Sequence, residues 1–422
     1  SFREANMAKL QPVRGTHDLL SDDIRRHQHI IEQFRRIAER YTYTQIDTPI
    51  FEFTEVFNRT LGETTDVVTK EMYTFDDRSG DSLTLRPEFT AGIARAFISN
   101  GLSQNLPLKL YAYGPMFRHE RPQKGRQRQF HQLDVEILGV AEPQADIEVI
   151  ALGAQLLDTL GLAGKVTLEL NTLGDRESRI AYRDVLVDYF NDSRDRLSEE
   201  AQERLERNPL RILDSKDKRD REVVAGAPAM SDHLNEASAD FFASVRTGLD
   251  QLGIAYQLNE QLVRGFDYYT HTAFEFTTEL LGAQSAVLAG GRYDGLIGTM
   301  GGPATPGIGW GSGIERLAML IDEPPAVDRP VVIVPVGDRA AKEGLTLLQE
   351  LRHAGIAADM GAKGNVGKRM KQANKANARY VVLMGDDELD AGVVTLRDLD
   401  GGEQQQVARG DLMAALSGGD AA

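Results

Sequence analysis

Residues 108–139 read LKLYAYGPMFRHERPQKGRQRQFHQLDVEILG. Leu108 to Tyr113 has the alternation of a strand, and Phe117 to Glu120 continues extended. Arg121 to Arg128 is a basic loop with three arginines and a lysine, and Phe130 to Leu138 is the returning strand. Successive strand side chains point to opposite faces. Phe130, Gln132, Asp134 and Glu136 therefore share one face, and Leu133, Val135 and Ile137 the other. Arg118 and Glu120 share a face on the outgoing strand. The pattern predicts an antiparallel hairpin with one face in a core and one polar face. That polar face is either simply solvated or a ligand surface, and the basic loop at its tip favours the second reading.

Working outward from the hairpin, Leu83 to Ala91 (LTLRPEFTA) is a strand ending in a polar knot. Arg86, Glu88 and Thr90 there form either a solvated loop with a local ion pair or a carboxylate aimed into a pocket. Tyr41 to Phe53 (YTYTQIDTPIFEF) is β-branched and aromatic, hence a strand, and Pro49 restricts it to an edge, an end or an interface. Before it, Ser21 or Asp22 is placed to cap a helix carrying Ile24, Ile30, Ile31, Phe34 and Ile37.

Downstream, a helix is expected over Asp146–Leu160 and a strand over Val166–Leu170. Residues 175–239 are charged and poor in strand signal, which predicts an inserted helical module with no assigned chemistry. Leu262 to Phe276 (LVRGFDYYTHTAFEF) sets Arg264, Asp267, Tyr268 and Tyr269 in an apolar frame. Such groups are costly to bury without partners, and a ligand would be one partner. In SAVLAGGRYDGLI (Ser285 to Ile297), Gly290 and Gly291 imply close approach of a ligand or tight packing. In TPGIGWGSGIERLAMLI (Thr305 to Ile321), Gly307, Gly309, Gly311 and Gly313 clear one face of a strand, where a planar group can lie. A helix follows from about Ile314. The run lacks the Gly-Lys-Ser/Thr ending of a P-loop.

A linker with Pro324 and Pro325 precedes a strand–helix alternation from Pro330 onward, the pattern of a small α/β layer. Lys363, Lys368, Arg369, Lys371, Lys375 and Arg379 fall in a stretch with no acid between Asp359 and Asp386. In a chain of net charge −16 that asymmetry reads as a solvated face or a nucleic-acid contact.

Composition bounds the rest. With 422 residues, 41% hydrophobic and 27% charged, the chain is an ordinary globular protein of roughly two to three domains. The lack of cysteine excludes disulfides, thiolate metal sites and a cysteine nucleophile. No apolar run approaches the roughly 20 residues that span a bilayer, and no secretory pattern is present. A cytoplasmic protein without a membrane partner is expected. Ser1 to Asn6 precede Met7, which reads as the natural start.

Taken together, these motifs resemble the class II aminoacyl-tRNA synthetases, and specifically the histidyl-tRNA synthetase family along nearly the whole chain. The general motifs are Tyr41–Phe53, Phe117–Gly139 and Gly307–Leu320, and the histidine-specific ones are LVRGFDYYT from Leu262 and AGGRYDGLI from Ala289. The resemblance implies an α+β fold: an antiparallel sheet flanked by helices, with the helical insertion and a C-terminal α/β anticodon-binding domain. The expected boundaries are 7–325 for the catalytic domain and 330–422 for the anticodon-binding domain.

The implied activity is ATP-dependent joining of histidine to tRNA(His), through an adenylate, by a homodimer using Mg²⁺. By the same resemblance, Glu88, Thr90, Gln132, Glu136, Tyr268 and Tyr269 bind histidine. Arg118, Glu120, Arg126, Phe130, Arg264 and Arg316 bind ATP, with Arg118 and Arg264 as the catalytic groups. Arg126, Arg128, Lys368, Arg369, Lys371 and Lys375 contact tRNA, and no metal is held by protein ligands alone. Phe89 and Gln127 depart from the pattern, standing where glycine and an aromatic are common. Phe89 puts bulk between two of the histidine contacts. Two other readings remain: an inactive histidine-sensing regulatory paralog, and another class II synthetase such as the prolyl or threonyl enzyme. The histidine-specific motifs argue against both, and the presence of residues 330–422 argues against the first.

Overall fold

A computed structural model of the protein describes residues 10–61, 68, 71–263, 268–282, 285–361 and 364–417. The chain divides into two compact units, Ser1–Pro324 and Pro325–Ala422. In the first unit the strands are β1 (Thr44–Gln45), β2 (Phe51–Phe53), β3 (Thr74–Asp76), β4 (Ser82–Leu85), β5 (Leu108–Phe117) and β6 (Gln129–Leu138). They continue with β7 (Thr167–Thr172), β8 (Gln257–Leu258), β9 (Thr270–Thr278), β10 (Ser285–Arg292) and β11 (Gly307–Gly313).

Eight of these form one sheet in the order β1-β5-β6-β11-β10-β9-β7-β8. Every pairing in it is antiparallel except the short parallel edges β1–β5 and β7–β8. The hairpin register is continuous from Leu108 opposite Leu138 to Phe117 opposite Gln129. Strand alternation decides which face is which. Leu133, Val135 and Ile137 pack with Trp310, Phe274 and Leu288 against helices Asp22–Arg40, Pro143–Thr159 and Glu236–Gln251. Gln132, Asp134 and Glu136 therefore point to the opposite face.

The helical covering is pinned by buried polar bonds that would cost free energy if left open. Trp310 Nε1 donates to Val149 O at 2.8 Å. Arg292, wholly buried, pairs with Asp146, also wholly buried, and donates to Val140 O at 2.9 Å. The arginine of AGGRYDGLI is thus a structural lock on the helix.

Two local expectations are corrected. Tyr41–Phe53 is not one strand: it breaks between β1 and β2, which belong to different sheets. Pro49 lies in the break, where its missing N–H cannot interrupt a ladder. Ser21 precedes the first helix with φ 49° but makes no side-chain cap bond. Between β7 and β9 the insertion is helical and strand-free from Arg176 onward until β8. The segment 1–9, with Met7, lies outside the described residues.

The second unit holds β12 (Val331–Pro335), β13 (Ala358–Met360), β14 (Tyr380–Met384), β15 (Val393–Asp398) and β16 (Gln404–Ala408), in the order β13-β12-β14-β15-β16. The first three are parallel and the last two antiparallel. Helices Asp338–His353 and Val366–Lys375 connect the parallel strands.

Candidate active site

The polar face of the large sheet opens into a cleft of about 950 Å³. Nearly all the expected site residues of the first unit line it: Glu88, Thr90, Arg118, Glu120, Arg126, Phe130, Gln132, Tyr268, Tyr269 and Arg316. Glu136, 1% exposed, is not part of the lining but is bonded to Thr90, which is. Arg264 lies outside the described residues.

One end of the cleft is acidic. The knot after β4 is neither solvated nor a loop ion pair. Arg86 is 3% exposed and donates to Thr48 O at 2.7 Å and Pro115 O at 2.9 Å. Glu88 Oε2 accepts from Thr90 N and its Oε1 from Ala91 N, both at 2.8 Å. The carboxylate thereby caps helix Thr90–Ser99, whose N-terminus favours negative charge. Thr90 Oγ1 donates to Glu136 Oε1 at 2.5 Å, and Tyr293 donates its hydroxyl to Glu136 Oε2. Burial pushes these acids up, and neighbouring carboxyls add to it for Asp134 and Glu136. Glu88 is raised, Asp134 is raised well above the carboxylate range, and Glu136 is pushed up to about 8. Tyr268 packs against Tyr269 with ring centroids 4.6 Å apart and planes tilted by 39°, and meets Tyr293 edge-on at 5.8 Å.

Tyr293 and Asp134 were assigned no role from sequence. The signal for Tyr293 lay in AGGRYDGLI, but its target is 157 residues away. The glycine run of β11 is also explained differently at its two ends. A Cβ on Gly307 would strike the Tyr293 ring, and one on Gly309 would strike the Glu136 carboxylate. Those two glycines make room for side chains of the pocket. Gly311 is opposite Asp134 in the ladder and has only the Gln132 amide, 3.8 Å away, near its missing side chain. Gly290 and Gly291 are packing positions, set against the Trp310 side chain and the Tyr269 ring respectively.

Phe89, the departure in the knot, turns away from the cleft. It is 1% exposed, packs with Ile93 and Met116, and lies under the Arg86 guanidinium at 4.4 Å. Its φ of −91° needs no glycine.

The other end is cationic. Arg118 Nε donates to Pro87 O at 2.9 Å, which swings its guanidinium over the Phe130 ring at 5.2 Å. Arg316 Nη1 donates to Ala286 O at 2.5 Å and its Nε to Gly125 O at 3.3 Å, gripping the tip of the hairpin loop. Burial, then Arg126, lowers the Arg316 pKa, with Arg118 adding to the repulsion. Glu120 lies between, 3.9 Å from Arg118 and 3.6 Å from Arg126. Glu315 has a scaffold role: it accepts from the backbone N–H of His131 at 2.9 Å and contacts its Nδ1 at 2.8 Å. This ties β6 to the helix that carries Arg316. Arg128 packs against Gly15, donating its backbone N–H to Gly15 O at 2.7 Å, whereas Arg126 is exposed.

The insertion, to which the sequence assigned no chemistry, also reaches the site. Arg211, Ser215, Lys216 and Arg221 line the same cleft. In the second unit, Lys368, Lys371 and Lys375 are exposed on helix Val366–Lys375. Arg369 instead donates to its own loop, at Gly361 O (2.7 Å) and Gly364 O (2.9 Å). Arg379 is held by Asp398 and Asp400, and Lys363 lies outside the described residues.

A family model described as histidyl-tRNA synthetase matches residues 15–317, and one described as an anticodon binding domain matches 330–418. The chain is 61% identical over 402 residues to the histidine–tRNA ligase of Rhodospirillum rubrum, covering 95% of this chain and 97% of that protein. The corresponding protein of Gluconacetobacter diazotrophicus is 54% identical over 412 residues, with 98% and 99% covered. Among solved structures, the apo histidyl-tRNA synthetase of S. aureus superimposes with a TM-score of 0.82 at 35% identity, covering 96% of this chain and 99% of that one.

Proposed function

The chain belongs to the histidyl-tRNA synthetase family and is a histidine–tRNA ligase, and we propose that the two ends of its cleft divide the activation step between them. Identity to ligases over nearly the full length favours this activity over a histidine-sensing paralog. The observation that carries the division is one cleft lined at one end by the buried carboxyls of Glu88 and Asp134, with Glu136 bonded to the lining residue Thr90, and at the other by three clustered guanidiniums.

At the acidic end, Glu88, Thr90 and Gln132 take the ammonium of histidine, and Glu136 with Tyr268 and Tyr269 takes the imidazole. Glu88 accepts one backbone N–H on each oxygen, which leaves lone pairs for a substrate donor. A site built to hydrogen-bond a ring nitrogen rejects apolar analogues strongly, because they strand its buried polar groups. At the cationic end, Arg118 and Arg264 hold the α-phosphate, Arg316 and Arg126 the outer phosphates, and Phe130 with Glu120 the adenine.

The substrate carboxylate oxygen attacks the α-phosphorus and the bond to the pyrophosphate oxygen breaks, so no protein nucleophile is required. The protein aligns the two reactants and supplies positive charge where negative charge gathers. Mg²⁺ arriving with ATP would supply further positive charge at the phosphates. Glu275, which lines the cleft within electrostatic reach of Arg316, would be one oxygen ligand for it. In the second step the terminal ribose hydroxyl of the tRNA attacks the adenylate carbonyl and AMP leaves.

The exposed lysines of helix Val366–Lys375, with Arg369, contact the anticodon arm, and Arg126 and Arg128 the acceptor end. Two copies pair through the small sheet β2-β4-β3. Its outer face carries Phe51 (48% exposed), Phe53 (58%) and Phe75 (46%), whereas the intervening Glu52 turns inward to Arg95 at 3.0 Å. An apolar row of that kind is what a partner subunit covers. The work is done in the cytoplasm, with the tRNA.

Exchange of pyrophosphate into ATP by the full chain, without tRNA, tests the activation reading. Exchange is expected with histidine and not with proline or threonine. Exchange with either of those, or none with histidine, overturns it.

A further inference from the structure

Asp134 is the one carboxyl of the acidic end that neither the sequence motifs nor the activation scheme uses. It is 3% exposed, and its Oδ1 is buried with no hydrogen-bond partner among the described residues. It nevertheless lines the cleft. An unpartnered buried carboxyl oxygen costs free energy comparable to a lost hydrogen bond or more. The Asp134 side chain interacts with that of Glu136, but Oδ1 itself has no bond that offsets that cost. Its ladder neighbours are Ala112 on β5 and Gly311 on β11, the smallest side chains available, so space is kept open on both sides of it.

The other carboxyls of this end are already engaged. Both Glu88 oxygens accept backbone N–H groups. Both Glu136 oxygens accept hydroxyls, from Thr90 and Tyr293. Asp134 Oδ1 is therefore the oxygen with most capacity for a donor that is not yet there. The sign of that donor follows from its surroundings. Burial first, and then Glu136 and Glu88, push Asp134 toward protonation, and Arg86 only partly opposes them. A neutral donor such as an imidazole N–H leaves this repulsion in place. A full positive charge removes it, and an ammonium brings three donors to a site that has one unused acceptor between Gln132 and Glu136.

We propose that Asp134 is a further substrate-binding residue, whose Oδ1 accepts a hydrogen bond from the ammonium group of histidine and so selects for the amino acid over imidazole compounds lacking that group. The inference rests on the histidine-binding reading of this pocket. Its failure is distinguishable, because that reading is tested on the unaltered chain by histidine-dependent pyrophosphate exchange.

The test is Asp134→Asn in the full chain, with Asp134→Ser beside it. Three quantities are read: the KM values for histidine and ATP in exchange, the inhibition constant of imidazolepropionate (histidine without its ammonium), and the melting temperature. Replacing a buried carboxyl that carries an unpaired oxygen is expected to leave Tm unchanged or raise it. The KM for histidine should rise about 10- to 100-fold, the scale of a charge-assisted hydrogen bond. The KM for ATP and the inhibition by imidazolepropionate should stay as they were. An unchanged KM for histidine overturns the proposal. So does an equal weakening of imidazolepropionate, which would put Asp134 on the ring. A fall in Tm with general loss of activity in both variants overturns it as well, since Asp134 would then be structural.

Discussion

The two ends of the cleft are each uncomfortable without a ligand, and for opposite reasons. At one end Glu88, Asp134 and Glu136 are 5%, 3% and 1% exposed with little cation between them, and all three are pushed toward protonation. At the other, Arg316 is pushed toward deprotonation by burial and by Arg126 and Arg118. A protein selected only for stability would mix these charges. Kept apart, they suit the proposed substrate pair, with an ammonium at one end and a polyphosphate at the other. The stability given up is returned when the ligands bind.

The comparison breaks most visibly at the cationic end. Arg118→Ala should lower kcat for pyrophosphate exchange by about 100- to 1000-fold, the usual cost of removing one preorganised group that meets developing charge. The KM for histidine should stay within about threefold. A matching rise in that KM would mean the ends are not separable. At the acidic end, Glu136→Gln should raise the KM for histidine by about 10- to 100-fold and leave the KM for ATP unchanged. Steady-state kinetics with each substrate varied in turn distinguishes the two outcomes.

A third change sharpens the comparison by touching neither end. Replacing Lys368, Lys371 and Lys375 together with glutamate should weaken tRNA charging and make its dependence on salt shallower, by about one unit of log–log slope per lost phosphate contact. Exchange without tRNA should be untouched. Charging at the normal rate would remove this helix from the tRNA surface.

The smallest effect concerns pH. Glu136 is raised from 4.5 to about 8, so between those values the folded state binds more protons than the unfolded one. Stability is therefore fully present below about pH 4.5 and is lost as pH rises through about 8. The melting temperature of the unliganded chain should fall over that window relative to Glu136→Gln, by about 2 °C or more. Parallel pH profiles for the two proteins would contradict the assignment.

Much of this was legible in the sequence, for identifiable reasons. Period-two alternation alone placed Gln132, Asp134 and Glu136 on one face and Leu133, Val135 and Ile137 on the other, because a strand allows no third choice. Motif resemblance supplied the remote partners: Glu88, Thr90, Arg118 and Arg316 all come to the same cleft. What was not legible depended on contacts between distant segments. Nothing local says that Gly309 yields its space to Glu136, or that Tyr293 reaches that same carboxylate. The insertion reads as a solvated helical module because periodicity gives a helix its apolar stripe but not the direction in which Lys216 and Arg221 face. Pro49 announced an interruption, yet its position alone could not show that the chain changes sheets there.

Titration calorimetry of Arg316→Ala with histidine alone and with ATP alone tests the separation of the two ends most directly. Histidine should bind within about twofold of the unaltered chain, and ATP about 10- to 100-fold more weakly. Loss of histidine affinity to the same degree as ATP affinity would mean that the acidic and cationic ends are one coupled structure, and would contradict a division of the activation step between them.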